Sequence, residues 1–253
     1  MTFKETFYPE TRFGGYTDID GTVAFYNRVN SLLKPSDVVL DVGCGRGEYA
    51  DDPVAIRKRL RVLQGKVAKV IGLDVDPAAQ TNPFLDEFQL LRGDVWPLPN
   101  DSINFILLDW VFEHVADFDR LFSEMRRVLK DGGYVCIRTT NRLSYVGLAA
   151  AVIPNKHHAG VTSVVQDARK PEDVFPTLYR CNSVRKVKSM MTKHGFDGVV
   201  YGYEAEPAYL SFSKVAYFFG VLHQMFAPSV VKPTLFAFGK FKKTAAAAGR
   251  PAA

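Results

Sequence analysis

Residues 38–47 read Val38-Val39-Leu40-Asp41-Val42-Gly43-Cys44-Gly45-Arg46-Gly47, and this stretch decides the fold. The first five residues are apolar except for Asp41, which predicts a buried parallel strand. The glycines that follow let the backbone turn and approach a ligand where a side chain would block it. At the carboxyl edge of a sheet, Asp41 can order the loop amides and indirectly hold a cationic amine.

Around this stretch, short apolar runs alternate with helical segments, the pattern of a mostly parallel sheet with helices on both faces. The pattern predicts seven strands: Val38–Val42, Val70–Asp74, Phe88–Arg92, Ile103–Leu108, Tyr134–Thr139, Val199–Tyr203 and Leu235–Lys240. A helix is predicted over Asp119–Lys130, followed by a glycine turn at Asp131-Gly132-Gly133, and another from its cap Ser183 through Lys193. We therefore predict one α/β domain over residues 1–243.

Two segments fall outside this alternation, residues 141–180 and 204–233, and we interpret both as insertions that cap the substrate site. The second is aromatic over residues 209–226. It is interpreted either as an apolar lid that contacts a lipid-like acceptor or a membrane surface, or as a plain hydrophobic layer under the sheet. Residues 244–253 are rich in alanine and predict a disordered tail.

Composition narrows the class of protein. The 253 residues are 47% hydrophobic and 23% charged, which is typical of a globular chain. The net charge is +5, but the densest basic stretch, Arg57–Arg61, has helical spacing and is interpreted as a solvated helix face, so no nucleic-acid partner is predicted. The sequence has three cysteines that are far apart, Cys44, Cys136 and Cys181, which predicts a reducing compartment. No apolar run approaches the roughly 20 residues that a membrane span needs. We therefore expect a cytoplasmic location, with peripheral membrane contact as a further option.

Two further acids end predicted strands on the same edge of the sheet as Asp41. Asp74 can accept hydrogen bonds from both hydroxyls of a ribose. Asp94 can accept from an exocyclic adenine amine, while Val95 or Trp96 covers the ring. A dinucleotide-binding loop has a third glycine where this chain has Glu48. The carboxylate of Glu48 would repel a pyrophosphate. A nucleoside cofactor without phosphates is therefore favoured over a nicotinamide dinucleotide.

These motifs resemble those of the class I S-adenosylmethionine-dependent methyltransferases, especially the small-molecule group called type 11, over residues 38–140. The matching segments are Leu40–Gly47, Gly72–Asp74, Gly93–Val95, Leu108–Val115 and Leu129–Gly133. The resemblance implies a Rossmann-like sheet of seven strands with an antiparallel last strand, and S-adenosylmethionine as cofactor. The predicted cofactor-binding residues are Asp41, Gly43, Cys44, Gly45, Asp74, Val75, Asp94, Val95 and Asp109.

One departure from the family is the interval from Gly47 to Asp74, which is longer than the roughly 20 residues usual in such sites. A lengthened first helix over residues 52–64 would absorb the difference.

Methyl transfer is an in-line displacement, so the protein must chiefly align the acceptor and exclude water. A hydroxyl acceptor also loses a proton, and His114 is the predicted base because it follows the fourth strand near the cofactor edge. The alternative is that His114 only makes a hydrogen bond across the helix start. His157 and His158 are alternative bases. Because no companion acid stands at ligand spacing from Glu113 and His114, no metal is predicted.

The leading hypothesis is therefore O-methylation of a small-molecule, lipid-like or glycan acceptor. Two alternatives stay open. One is a non-catalytic module that binds S-adenosylmethionine and holds a partner. The other is an NAD(P)-dependent oxidoreductase, which Glu48 disfavours.

Overall fold

The computed structural model of the chain describes residues 2–152 and 177–243. Within these residues, seven strands form one sheet in the order β3-β2-β1-β4-β5-β7-β6. Strands β1 to β5 are parallel, and β7 runs antiparallel to both β5 and β6. This arrangement confirms the predicted fold class. The strands are β1 (Val38–Val42), β2 (Lys69–Asp74), β3 (Glu87–Leu90), β4 (Ile103–Asp109), β5 (Leu129–Thr140), β6 (Phe196–Tyr203) and β7 (Thr234–Phe241).

The strand order reverses at β1, because β2 pairs with one side of β1 and β4 pairs with the other. At such a reversal the connections leave the sheet in opposite directions and open a crevice at the carboxyl ends of the strands. The topology therefore places the end of β1 and the end of β4 on either side of one crevice.

Helices cover both faces of the sheet. The described α-helices are α1 (Phe3–Phe7), α2 (Gly21–Leu32), α3 (Ala55–Arg61), α4 (Phe118–Val128), α5 (Tyr145–Val152), α6 (Val184–Lys193) and α7 (Lys214–Phe226). The prediction of α6 is confirmed, because the Ser183 side chain caps its first turn and Gly195 follows it with a φ of +81°. None of these described helices is long and apolar enough to cross a membrane.

Two predicted helix boundaries are wrong. The first helix after β1 does not span residues 52–64; a 3₁₀ turn at Glu48–Asp51 precedes the seven-residue α3. Pro53 lies between them, and a proline disfavours helical geometry at the preceding residue. Helix α4 ends at Val128, because Leu129 already has extended geometry and begins β5. The glycine turn predicted at residues 131–133 lies inside this strand, where the pairing with β4 shifts register.

The strands bury alternate side chains in two apolar layers. One layer joins Leu40 and Ile106 to Phe122 and Met125 of α4. The other joins Val39 and residues of neighbouring strands to Phe25 and Val29 of α2. Because helices cover both faces of the sheet, polar side chains on the strands can meet a ligand only at the ends of the strands. The predicted tail at residues 244–253 lies outside the described residues.

Candidate active site

A cavity of about 1170 Å³ opens at the carboxyl edge of β1, β2 and β4. Sites for drug-sized ligands usually occupy roughly 300–1,000 Å³, so this space can hold a nucleoside cofactor together with part of a second ligand. One side is rich in carboxylates and exposed backbone, and another is walled by apolar side chains that include Trp110, Val111 and Leu178.

The loop after β1 has a conformation that only glycine adopts easily. Gly43, Gly45 and Gly47 have φ angles of +66°, +56° and +77°. A Cβ atom on Gly43 would lie 2.6 Å from a methyl carbon of Val111, and one on Gly47 would lie 2.7 Å from Oδ1 of Asn82. Substitution would therefore both strain the backbone and clash with these neighbouring side chains, so the loop requires glycine at both positions.

Asp74 and Asn82 hold this loop in place. Oδ2 of Asp74 accepts a hydrogen bond from the Gly45 amide at 3.0 Å, and Nδ2 of Asn82 donates to the Cys44 carbonyl at 3.0 Å. Oδ1 of Asp74 accepts from the Asp76 amide at 2.9 Å, so each carboxylate oxygen keeps a lone pair for a ligand hydroxyl. The expectation that Asp41 orders the loop amides is wrong, since Asp41 accepts no hydrogen bond from the described residues.

Asp41 is a partly buried acid of the cavity that accepts no hydrogen bond from the described residues. Burial, reinforced by the nearby carboxylate of Asp109, raises its pKa from 3.8 to about 7. A partly buried carboxylate without a hydrogen-bond donor is less stable than one in water, and a bound cation would offset that cost. The position therefore fits the amine of an amino-acid group.

Asp109 is fully engaged at the end of β4. Arg138 donates to both of its oxygens at 2.6 Å, and the Tyr26 hydroxyl donates to Oδ2 at 2.8 Å. Although burial acts to raise the pKa of Asp109, the charge and hydrogen bonds of Arg138 outweigh it and the pKa is lowered. Asp109 is therefore an anion that faces the cavity but has little capacity left for a ligand.

The interpretation of Arg57–Arg61 as a solvated helix face is wrong for the two arginines at its ends, which line the cavity. Arg57 makes a 2.6 Å ion pair with Asp20, and the Arg61 guanidinium lies 4.4 Å from the centre of the Tyr49 ring. Helical spacing identifies one face of a helix but does not show whether that face meets water or a ligand cavity.

Eight of the predicted site residues meet at this cavity: Asp41, Gly43, Cys44, Gly45, Asp74, Val75, Asp109 and His114. Asp94 and Val95 do not line it. Asp94 lies on the surface in a 2.6 Å ion pair with Arg120, and Val95 is exposed. Trp96, the alternative to Val95 as a cover for a base, lines the cavity.

His114 and Glu113 separate at the 3₁₀ turn formed by Phe112–His114. His114 faces the cavity, whereas the buried Glu113 accepts a hydrogen bond from the Thr139 hydroxyl at 2.7 Å. The Glu113 carbonyl accepts from the Leu178 amide, which holds Leu178 against the cavity. His157 and His158, the alternative bases, lie outside the described residues.

The donor set fits S-adenosylmethionine better than a dinucleotide. Carboxylates are available for the amine and the ribose, and the glycine loop exposes main chain. A pyrophosphate would instead need the amides at the start of an α-helix. Here the loop leads into the 3₁₀ turn that begins at Glu48, whose Oε1 already accepts from the Arg46 amide.

Comparison with known proteins agrees with this fit. Residues 21–201 match a family model described as a methyltransferase domain. The chain is 28% identical over 123 residues to demethylmenaquinone methyltransferase of Symbiobacterium thermophilum, covering 44% of this chain and 46% of the relative. It is 30% identical over 182 residues to the protein of the same name from Lactobacillus johnsonii, covering 66% and 71%. In general, the chain spans about half the length of the curated relatives it matches.

Among solved structures, a SAM-dependent methyltransferase from Archaeoglobus fulgidus is similar in fold. Its TM-score is 0.54 at 19% identity, over 93% of this chain and 99% of that one.

The raised pKa of Asp41 gives a test of the site that needs no ligand. An acid whose pKa is higher in the folded protein destabilises it above the unfolded pKa of 3.8, and the penalty is complete above about 7. We expect Asp41→Asn to raise the Tm at pH 8 by roughly 2–8 °C, with a gain that shrinks toward pH 4. Thermal unfolding from pH 4 to 8 measures this. Asp94→Asn, at an exposed ion pair, is the control, and a lower Tm for Asp41→Asn at pH 8 would contradict the prediction.

Proposed function

The chain belongs to the methyltransferase domain family, and on that premise we propose that it transfers the methyl group of S-adenosylmethionine to an apolar acceptor that carries a hydroxyl group. Membership confirms the resemblance inferred from the motifs. The observation that carries the proposal is the convergence of Asp41, Asp74 and the glycine loop on one cavity that also has an apolar wall.

In this proposal the cofactor lies along the ends of β1 and β2. Asp74 accepts hydrogen bonds from the ribose hydroxyls, and Asp41 faces the amine. Leu91 and Trp96 supply apolar surface for the adenine. Asp94 does not line the cavity and pairs with Arg120 through one oxygen, so we assign it a secondary role toward the adenine amine.

The cofactor supplies an electrophilic methyl group on a sulfonium. Trp110, Val111 and Leu178 hold the acceptor and exclude water from the line of transfer. Trp110 has a φ of +61°, a strained geometry for a non-glycine residue that often accompanies a functional site. His114 takes the proton of the acceptor hydroxyl, which makes its oxygen a better nucleophile.

Two observations support the proposed acceptor class, namely this apolar wall and the names of the relatives. A wall of Trp110, Val111 and Leu178 suits an aromatic or lipid-like molecule better than a glycan. The curated relatives are named for demethylmenaquinone, a lipid-like ring compound. We propose methylation at oxygen as the first candidate. Methylation at a ring carbon, after the same loss of a hydroxyl proton, is the second candidate, favoured by the names of those relatives.

A lipid-like acceptor also gives a role to the aromatic segment over residues 209–226. Helix α7 exposes Val215, Phe219 and Phe226. Residues 207–243 contain no Asp or Glu, while lysines stand at positions 214 and 232. Exposed aromatic side chains with adjacent lysines fit the interface of a bilayer that contains anionic lipid. We propose that α7 makes this peripheral contact.

The cofactor assignment is tested by binding of S-adenosylhomocysteine, the demethylated product. Asp74→Asn removes an acceptor from the ribose and weakens the Gly45 contact, so we expect affinity to fall roughly 10- to 100-fold. Isothermal titration measures the loss of affinity. The control is Glu87→Gln, which lies at the amino end of β3, away from the carboxyl edge of the sheet. If the folded wild-type protein binds no S-adenosylhomocysteine, the proposed function is wrong.

The proton-transfer role predicts a selective defect in His114→Gln. We expect the methylation rate to fall roughly 100- to 10,000-fold, while S-adenosylhomocysteine binds within about threefold of wild type. The assay uses methyl-labelled S-adenosylmethionine with host lipid extract and with demethylmenaquinone that has first been reduced chemically to its hydroquinone, the form that carries hydroxyl groups. The chemical shift of the transferred methyl distinguishes oxygen from carbon methylation. An unchanged rate in His114→Gln would remove its role as the base.

The membrane contact predicts that the protein sediments with vesicles of phosphatidylcholine and phosphatidylglycerol, and less with phosphatidylcholine alone. We expect Phe219→Ser with Phe226→Ser to reduce the bound fraction several-fold. Val199→Ser, at an exposed apolar position on β6, is the matched control. Equal loss in the control and the double variant, or no binding by wild type, would refute the contact.

A further inference from the structure

Arg61, the last residue of α3, reaches the cavity with its charge partly buried. Its guanidinium lies over the Tyr49 ring, and its Nη2 is 3.9 Å from Oδ2 of Asp109. About a quarter of the side chain is exposed, toward a cavity that Arg61 helps to line. Its buried Nε has no hydrogen-bond partner among the described residues. Because Nε is buried, the group that Arg61 offers to the ligand space is the charged end of its guanidinium, which also interacts with Tyr26.

Asp109 does not require this second arginine. Both of its oxygens already accept from Arg138 at 2.6 Å, and Tyr26 adds a third hydrogen bond. The Asp109–Arg138 pair is neutral as a unit, so Arg61 leaves a positive charge in excess beside it. A partly buried cation whose nearest anion is already paired would be stabilised by an anionic ligand.

The other arginines of the cavity are differently placed. Arg57 pairs with Asp20 at 2.6 Å, and Arg46 pairs with Asp76 at 3.4 Å on the ribose side. Arg138 is 4% exposed and held by Asp109. Among these four arginines, only Arg61 combines a long ion-pair distance, that to Asp109, with a place near Asp41. The positive charge of Arg61 acts to lower the pKa of Asp41.

We propose that Arg61 binds the carboxylate of the cofactor's amino-acid end, while Asp41 faces the amine on the same carbon. This inference rests on the proposed function. An α-amino acid carries its two opposite charges one carbon apart, so its recognition needs an acid and a base side by side. Asp41 and Arg61 meet that requirement at the edge of β1.

The arginine geometry suits this role. A guanidinium can donate two parallel hydrogen bonds to a carboxylate, and stacking on Tyr49 fixes its plane before the ligand arrives. The same role gives a function to the long interval between the glycine loop and β2, because α3 within that interval delivers Arg61. The pair would select S-adenosylmethionine over a decarboxylated cofactor that keeps the amine but has no carboxylate.

The test uses three ligands that differ by one charged group at a time. S-Adenosylhomocysteine has the amine and the carboxylate, its decarboxylated analogue has only the amine, and methylthioadenosine has neither. Affinities are measured by isothermal titration with the wild type, Arg61→Gln, Arg61→Lys and Asp41→Asn. Arg59→Gln, an exposed residue of the same helix, makes the same charge change as Arg61→Gln and serves as the control.

We expect Arg61→Gln to weaken S-adenosylhomocysteine roughly 10- to 100-fold and to leave the other two ligands within about twofold. The affinity of Arg61→Lys for S-adenosylhomocysteine should lie between those of the wild type and Arg61→Gln, because lysine keeps the charge but not the paired donors. Asp41→Asn should weaken both amine-containing ligands and spare methylthioadenosine. The Arg59→Gln protein should bind like the wild type.

Equal weakening of all three ligands by Arg61→Gln would mean that Arg61 only shapes the site, and the proposal would be overturned. Unchanged affinity for S-adenosylhomocysteine, with a raised KM for an acidic acceptor, would assign the anion to the acceptor and overturn it as well. A wild type that binds none of the ligands refutes the proposed function itself. A wild type that binds all three equally refutes only the role of Arg61.

Discussion

The ion pair between Asp109 and Arg138 is the contact on which the site depends. It joins the ends of β4 and β5, and Tyr26 and Thr22 tie helix α2 to the same pair. The Arg138 carbonyl also accepts from the Trp110 amide, so the strained residue at the acceptor side is fixed from there. Removing either partner would leave an unpaired buried charge, which is why this corner of the sheet has little freedom to rearrange.

That pair also solves a problem of like charges. Three carboxylates, those of Asp41, Asp74 and Asp109, converge on one edge because their strands end there. Arg138 neutralises Asp109, and the amides of Gly45 and Asp76 satisfy Asp74. Asp41 accepts no hydrogen bond from the described residues, and the charge of Arg61 offsets its burial only in part. The fold thus leaves two incompletely paired charges, those of Asp41 and Arg61, at this edge, as expected where affinity for a ligand is gained at the expense of stability.

The sequence predicted the sheet and most of the cofactor edge because strand ends and glycine loops leave local signals. Both Asp41 and Asp74 are predictable, because Asp41 is the one charged residue within an apolar run and Asp74 ends another. Asn82 and Arg138 have no local sequence signal. Asn82 binds the glycine loop at Gly45, which is 37 positions away in the sequence. Arg138 is one polar residue within the otherwise largely apolar strand β5. Arg61 was misread because helical periodicity is the same whether a face meets solvent or a cavity.

The two halves of the cavity differ in what builds them, and this difference limits what a sequence can show about the acceptor. The half that we propose for the cofactor is made of main chain and of acids at or near the ends of β1 and β2. The half that we propose for the acceptor contains Trp110, Val111 and Leu178, and the Leu178 amide donates a hydrogen bond to the Glu113 carbonyl. Tertiary contacts between distant segments form such a wall, so the set of side chains that line it can be identified only in the folded chain.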